Sequence, residues 1–469
     1  MASQWGDLDF ATGVRRPGSG APPGASRRLA LVWCVVLALV VMGSSVSLAG
    51  PDSAPARPGA EGAGDPYFPR AGNGGYDVTR YDIRFSYQPA TDRLEGHTTV
   101  VARATQDLSR FNLDLKLPAG AVVVNGRPAT IQQDGGELQV TPDRPLPAGR
   151  PMVVRVDYAG TPSSYPDSAN PIPPWLRTAD GAVGLGEPDI AAWWYPSNDH
   201  PSDKATVAVT ATVPTGVEAI SNGALLGGPE PAGPGWTRWR WRSDQPMASY
   251  LAYIAIGQYD IVRRNTPAGA YLAAFDQRLD PPTARVAREA VGRTPEIVEF
   301  LSRMFGPYPF GQLGGVVLSN AEFSSALENQ TRPVYGPKYF QGAPDYLSTL
   351  VHEQAHQWFG DNVSVQRWRD IWLNEGFATY AEWLYSERTG GASAAQLAQQ
   401  YYQEIPADAD FWRVPPGDPG PAGVLDSPVY SRGAMALQAL RSAVGDEDFF
   451  AALRSWAVER RGGNGSVQD

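Results

Sequence analysis

The chain has 469 residues, 42% of them hydrophobic and 19% charged, with a formal net charge of −10 and a sequence pI near 5.1. That length and apolar content suit about two or three globular domains rather than a disordered chain. The acidic balance offers no basic footprint for nucleic acid, and the one cysteine, Cys34, excludes an intramolecular disulfide and a thiolate zinc site.

Residues 29–42 read LALVWCVVLALVVM, preceded by Arg27 and Arg28. A basic start, an apolar run and a small-residue site with Ser47 at −3 and Ala49 at −1 make a secretory signal peptide. The competing reading is an uncleaved anchor, because residues 29–49 are long enough to cross a bilayer and to attach the chain to a membrane. Ser26-Arg27-Arg28 also resembles a twin-arginine signal. Both readings export the bulk of the chain, as a secreted or membrane-anchored protein. Trp33 before Cys34 argues against a lipoprotein anchor. Residues 50–75 are rich in Pro, Gly and Ala and read as a flexible spacer.

Residues 76–265 read as a β-domain. Tyr81, Ile83, Phe85 and Tyr87 alternate, so they share one face of a strand. Further strands are expected at 97–104, 121–124, 137–140 and 152–158, separated by turns such as Asn125-Gly126 and Asp134-Gly135-Gly136. Val207, Val209, Ala211 and Val213 continue the alternation, and Trp236, Trp239 and Trp241 fall in a later segment. Short strands with regular turns predict an antiparallel sandwich or saddle.

From about Thr266 the chain is expected to turn helical, giving a second domain over 266–469. Residues 283–303 have helical spacing, with Pro295 set to kink or split the run. GGVVL at 314–318 is a buried-strand candidate. A helix is expected over 346–359 and another from about 374 to 388.

The helix at 346–359 carries HEQAH. His352 and His356, at i and i+4, lie on one helix face and can grip one metal ion. Glu353 sits about 100° round the helix and flanks that ion. Glu375 opens the next helix, eighteen residues after His356, and can supply a third ligand. Two histidines and a carboxylate, with a fourth position left to water, make the open arrangement of catalytic zinc. Only four histidines occur in the chain, and two of them form this motif.

Taken in order, WWYPSNDHPSDKAT, FGPYPF, SALEN, HEQAHQWFG, WLNEGFATYAEW and VYSRGAMALQALR resemble the gluzincin aminopeptidase family, the group of aminopeptidase N and leukotriene-epoxide hydrolase. With its leader, the chain looks like an exported bacterial member. The resemblance covers about residues 76–469 and implies an α+β fold. An N-terminal antiparallel β-saddle or sandwich would precede a thermolysin-like, mainly helical zinc metallopeptidase domain.

It also implies one Zn2+ per chain on His352, His356 and Glu375, with Glu353 as general base. By the same resemblance Tyr430 stabilises the transition state, and Glu328 in Ser325-Ala326-Leu327-Glu328-Asn329 binds the substrate's free ammonium. Glu187, in GEP, matches a position that helps bind the same amine. Two departures are Ser325 and Leu327, where the family has Gly and Met, and a third is Leu185 in place of a glutamine. The interval from Glu328 to His352 is shorter than in better-known members. Thr379, four residues after Glu375, is a geometric candidate for a supporting partner.

The function implied is zinc-dependent removal of the N-terminal residue from peptides with a free N-terminus. Alternatives are a zinc endopeptidase, an epoxide hydrolase, and a non-catalytic exported binding protein retaining a metal site. The chain stops at GGNGSVQD, where the family fold continues with further helices, so truncation is expected. Asn329-Gln330-Thr331 is a formal glycosylation sequon, but a glycan there would block the expected site.

Overall fold

The computed structural model describes residues 55–165, 173–342 and 346–469. The leader and Cys34 lie outside the described residues. Among the described residues, no helix is long and apolar enough to cross a membrane.

The β-rich part is built on one nine-stranded sheet. Tyr76–Gln88 lies inside it, antiparallel to Arg93–Ala104, which pairs in turn with Pro151–Gly160. The alternation is realised: Tyr81, Ile83, Phe85 and Tyr87 are all buried. On its other side Tyr76–Gln88 pairs with Ala205–Pro214, and this ladder is parallel, with Tyr81 opposite Val207 and Phe85 opposite Ala211. The sheet is therefore mixed at one ladder. Its next strand, Trp236–Met247, buries Trp239 and Trp241.

A five-stranded sheet follows, in the order Tyr259–Thr266, Gly269–Asp276, Gln312–Val317, Val334–Tyr335 and Ala326–Leu327. The hairpin Tyr259–Thr266/Gly269–Asp276 straddles the boundary expected at 265/266, so the chain does not turn helical there. The first helices are Pro281–Gly292 (α1) and Thr294–Phe305 (α2). Pro295 splits the run as expected, because it fits only the first turn of α2. The remaining helices are Tyr346–Ala355 (α3), Trp372–Arg388 (α4), Ala394–Glu404 (α5), Gly433–Val444 (α6) and Asp446–Glu459 (α7). This is the α+β arrangement expected.

The reading of residues 50–75 as a flexible spacer is corrected over its described part. Arg57–Pro58 pairs with Leu108–Asp114. Asp65 is 2% exposed; its carboxylate accepts the backbone N–H of Trp368 at 2.8 Å and that of Tyr67 at 2.8 Å, and lies 3.2 Å from His200 Nε2. Phe68 packs edge-on against Trp368. Composition misleads here because the strap is held by its backbone, one carboxylate and two aromatic rings, Tyr67 and Phe68, packed against the core.

Lys204 fastens the β-rich part to the helical part. Its Nζ donates to the carbonyls of Asp361 at 2.7 Å, Asn362 at 2.9 Å and Gly463 at 3.2 Å. Burial, opposed by the charge of Asp361, pulls its ammonium down to about 7.

Candidate active site

His352 and Glu353 sit on α3, and His356 follows in the turn that ends it, its N–H donating to the His352 carbonyl at 3.2 Å. Glu375 lies in the first turn of α4. The two imidazoles are fixed from behind. His356 Nδ1 lies 3.0 Å from the Phe359 carbonyl. A carbonyl only accepts, so Nδ1 carries the proton and Nε2 presents its lone pair. His352 Nδ1 lies 2.7 Å from Glu382 Oε1, which has the same effect, and Ser348 Oγ donates to the other oxygen of Glu382.

Both Nε2 atoms converge on Glu375 Oε2, at 3.2 Å from His352 and 3.4 Å from His356. Ligand atoms bound tetrahedrally at about 2.0 Å to one ion stand about 3.3 Å apart. The donor set and its spacing therefore fit zinc. One donor atom from each of the three residues lies within 4.8 Å of the others. Burial raises the Glu375 carboxyl, but His356 and His352 outweigh it and hold the group at about 2.

The turn after α3 owes its shape to Gly360, at φ +128, where a Cβ would stand 3.3 Å from His356 Nδ1. A second glycine device sets the helix spacing. A Cβ on Gly433 would stand 2.9 Å from Gly376 Cα, so α4 and α6 cross backbone against backbone. Gly376 follows Glu375, and Gly433 follows the π-helical turn Pro428–Arg432 that carries Tyr430. Tyr430 thus reaches the site, its ring stacked on that of His352 with centroids 6.0 Å apart.

Glu328 leaves the edge strand Ala326–Leu327 and is 2% exposed. The Tyr250 hydroxyl donates to its Oε1 at 3.2 Å. Gln357, five residues after His352, clamps the same segment: its Nε2 donates to the Glu328 carbonyl at 3.0 Å and its Oε1 accepts the Thr331 N–H at 2.7 Å. Glu187 comes from the β-rich part, and an oxygen of each of Glu187, Glu328 and Glu375 lies within 4.8 Å of the others. Burial raises Glu187 far above the usual carboxylate range, with repulsion from Glu328, Glu375 and Glu353 added. Burial also lifts Glu353, to about 8, against the pull of His352 and His356.

All seven residues selected from the sequence line one cleft of about 490 Å³. Those missed are Glu382, Gln357 and Tyr250. Glu382 lies seven residues after Glu375, two turns along the same face of α4, and that spacing could have revealed it. It supports His352 from behind. Gln357 lies in HEQAHQWFG, but nothing there pointed to its partners, and Tyr250 carried no motif of its own. Asn329 is fully buried and its Nδ2 donates to the Leu251 carbonyl at 3.1 Å, so the sequon lies inside the fold.

A family model described as the Peptidase family M1 domain matches residues 289–469. The chain is 29% identical over 287 residues to the aminopeptidase N of Canis lupus familiaris, covering 56% of this chain and 29% of that protein. It is 31% identical over 208 residues to the glutamyl aminopeptidase of Homo sapiens, covering 42% and 21%. The chain thus spans less than a third of the length of these curated relatives. A crystal structure of an M1 zinc metallopeptidase from Deinococcus radiodurans matches with a TM-score of 0.78 and 31% identity, over 87% of this chain and 92% of that one. A mutant of that protein bound to a Tyr-Ser-Ala substrate matches with a TM-score of 0.77 and 31% identity, over the same shares. With this identity over nearly the whole of a solved relative, and with its paired histidines and Glu375 gathered at one point, the chain belongs to the M1 zinc metallopeptidase family.

Proposed function

We propose that the protein is a zinc aminopeptidase, releasing the N-terminal residue of peptides that have a free amino group. The observation that carries this reading is the set of carboxylates beside the candidate metal ligands: Glu187 and Glu328 close on Glu375, and Glu328 and Glu353 close on His356. A free ammonium held by Glu328 and Glu187 leaves only the first peptide bond within reach of the ligand cluster, which is exopeptidase geometry. The Tyr-Ser-Ala substrate of the Deinococcus radiodurans relative supports peptides as the substrate class.

His352, His356 and Glu375 would hold one zinc ion, which when bound supplies Lewis acidity and lowers the pKa of water from about 15.7 to about 7. Glu353 takes a proton from the attacking water and returns it to the leaving amine. Burial raises this carboxyl, and a bound dication would favour its ionised, proton-accepting form. Tyr430 keeps its proton, since burial and then the charges of Glu375 and Glu187 raise it well above 10, and it donates to the oxyanion of the tetrahedral intermediate. Glu382 and the Phe359 carbonyl orient the two imidazoles. We further propose that the apolar run at 29–49 exports the chain, as a secreted or membrane-anchored enzyme.

The test is hydrolysis of a leucyl aryl-amide and its N-acetylated twin by the zinc-loaded protein. Cleavage of the free-amine substrate alone is expected. Equal cleavage of both would replace this reading by an endopeptidase, and cleavage of neither would remove it.

A further inference from the structure

The contacts that hold Glu328 reach well beyond the cleft. Its Oε1 accepts the Tyr250 hydroxyl, and Tyr250 sits in the single helical turn Ser249–Leu251. That turn is tied to the Glu328 segment itself. Asn329 Nδ2 donates to the Leu251 carbonyl at 3.1 Å, and Asn222 Nδ2 bridges the Leu251 and Gln330 carbonyls at 2.9 Å each. These bonds fix the backbone beside Tyr250 and leave the tilt of its ring to packing. The Trp368 ring packs against it, with centroids 5.5 Å apart and planes at 57°.

Trp368 is held in turn by the strap. Asp65 accepts its backbone N–H, and Phe68 meets its ring edge-on, with centroids 6.1 Å apart and planes at 86°. Among the described residues nothing accepts the buried indole N–H, so packing orients this ring too. Trp368 and Tyr250 are each 1% exposed. A close-packed interior passes a displacement on rather than absorbing it.

We propose that the strap positions the site for the substrate's amino group. Asp65 and Phe68 hold Trp368, Trp368 holds the Tyr250 ring, and the Tyr250 hydroxyl aims the Glu328 carboxylate. The inference rests on the aminopeptidase reading and adds to it positioning residues that act through Glu328. Turning the Tyr250 ring draws its hydroxyl off a bond of 3.2 Å, and such bonds weaken steeply with distance and angle.

Leucinol has no peptide bond to cleave, and acetylating its amine removes the charge. Calorimetric Kd values for leucinol and N-acetyl-leucinol on the zinc-loaded protein therefore measure what the amine contributes. The parent is expected to bind leucinol at least ~30-fold more tightly. Tyr250→Phe, which keeps the ring and removes the donor, should lower this ratio by about tenfold. Phe68→Ala should lower it by at least ~3-fold, and Phe68→Tyr, which keeps the ring, should lose much less. Phe68→Leu, which keeps apolar volume without a ring, takes the place of an alanine protein that does not fold. In the Tyr250→Phe background, adding Phe68→Ala should change the ratio by less than about twofold, because the hydroxyl through which the strap acts is gone. KM on a leucyl aryl-amide should rise as the ratio falls. A merely destabilised protein would lose binding stoichiometry and apparent kcat and keep the ratio. Since α4 follows Trp368 closely and carries Glu375, the zinc Kd of each variant is measured too, and it should stay within about twofold of the parent.

An unchanged ratio in the Phe68 variants would overturn the strap's role and leave the aminopeptidase reading intact. So would a loss that persists undiminished in the Tyr250→Phe background, or one that follows a weaker zinc Kd. A parent that binds the two alcohols equally would overturn both.

Discussion

Removing the carboxylate behind His352 should loosen the metal without touching a ligand. Glu382 Oε1 stands 2.7 Å from His352 Nδ1, a charge-assisted contact that fixes both the tautomer and the ring plane. Glu382→Gln keeps an acceptor there but discharges it, and charge-assisted bonds are about twice as strong as neutral ones. That loss of about 1 kcal/mol corresponds to a roughly 5- to 10-fold weaker zinc Kd. Glu382→Ala removes the acceptor as well and frees the ring to turn, so a loss approaching ~100-fold is expected. Ser348→Ala, which removes only the hydroxyl donating to Glu382, should cost less than either. Competition against a chromophoric chelator measures each Kd. An alanine variant whose zinc Kd stays within about twofold of the parent, while His352→Ala loses the metal, would refute the orienting role.

Three further outcomes are expected. Tyr430→Phe should lower kcat by about 10²-fold or more with a smaller change in KM, since it removes a donor used only in the transition state; steady-state kinetics showing a pure KM effect would end that assignment. Gly433→Ala forces a Cβ to within 2.9 Å of Gly376 Cα, so the helices carrying Glu375 and Tyr430 must separate. A stability loss of about 1–3 kcal/mol and a lower kcat should appear together in melting and kinetic measurements. The Asp65 carboxyl is held at about 2 against its own burial, by the His200 and backbone contacts. A depressed acid contributes stability above its unfolded pKa of 3.8 and loses it as pH falls through 2. Asp65→Asn should therefore cost about 2 kcal/mol at pH 7, and its gap in Tm from the parent should close between pH 4 and 2. A gap independent of pH would assign the contact to shape alone.

Local pattern made much of this molecule legible. Alternation placed Tyr81, Ile83, Phe85 and Tyr87 in a buried row, and Pro295 marked the break between α1 and α2. The spacing of His352, His356 and Glu375 anticipated a cluster whose atoms do converge. What escaped depends on contacts between residues far apart in sequence. The parallel pairing of Tyr76–Gln88 with Ala205–Pro214 joins segments that no local periodicity relates. Residues 57–75 are poor in apolar side chains, yet Asp65 and Phe68 both meet Trp368, about 300 residues on. Tyr250 and Gln357 matter only because the fold carries Glu328 to them, and Glu382, two turns from Glu375 within WLNEGFATYAEW, shows its role only once His352 is seen against it. Gly376 and Gly433 become informative only as a pair, once α4 and α6 are seen to cross.

The central claim is that His352, His356 and Glu375 bind the metal while Glu353 moves the proton. The most direct measurement is kcat on a leucyl aryl-amide for the parent and for Glu353→Gln, each with its zinc content determined on the same sample. One zinc per chain in both, with kcat lower by at least ~10²-fold in the variant, is the result expected. A Glu353→Gln protein of undiminished kcat, or a fully active parent that contains no zinc, would contradict it.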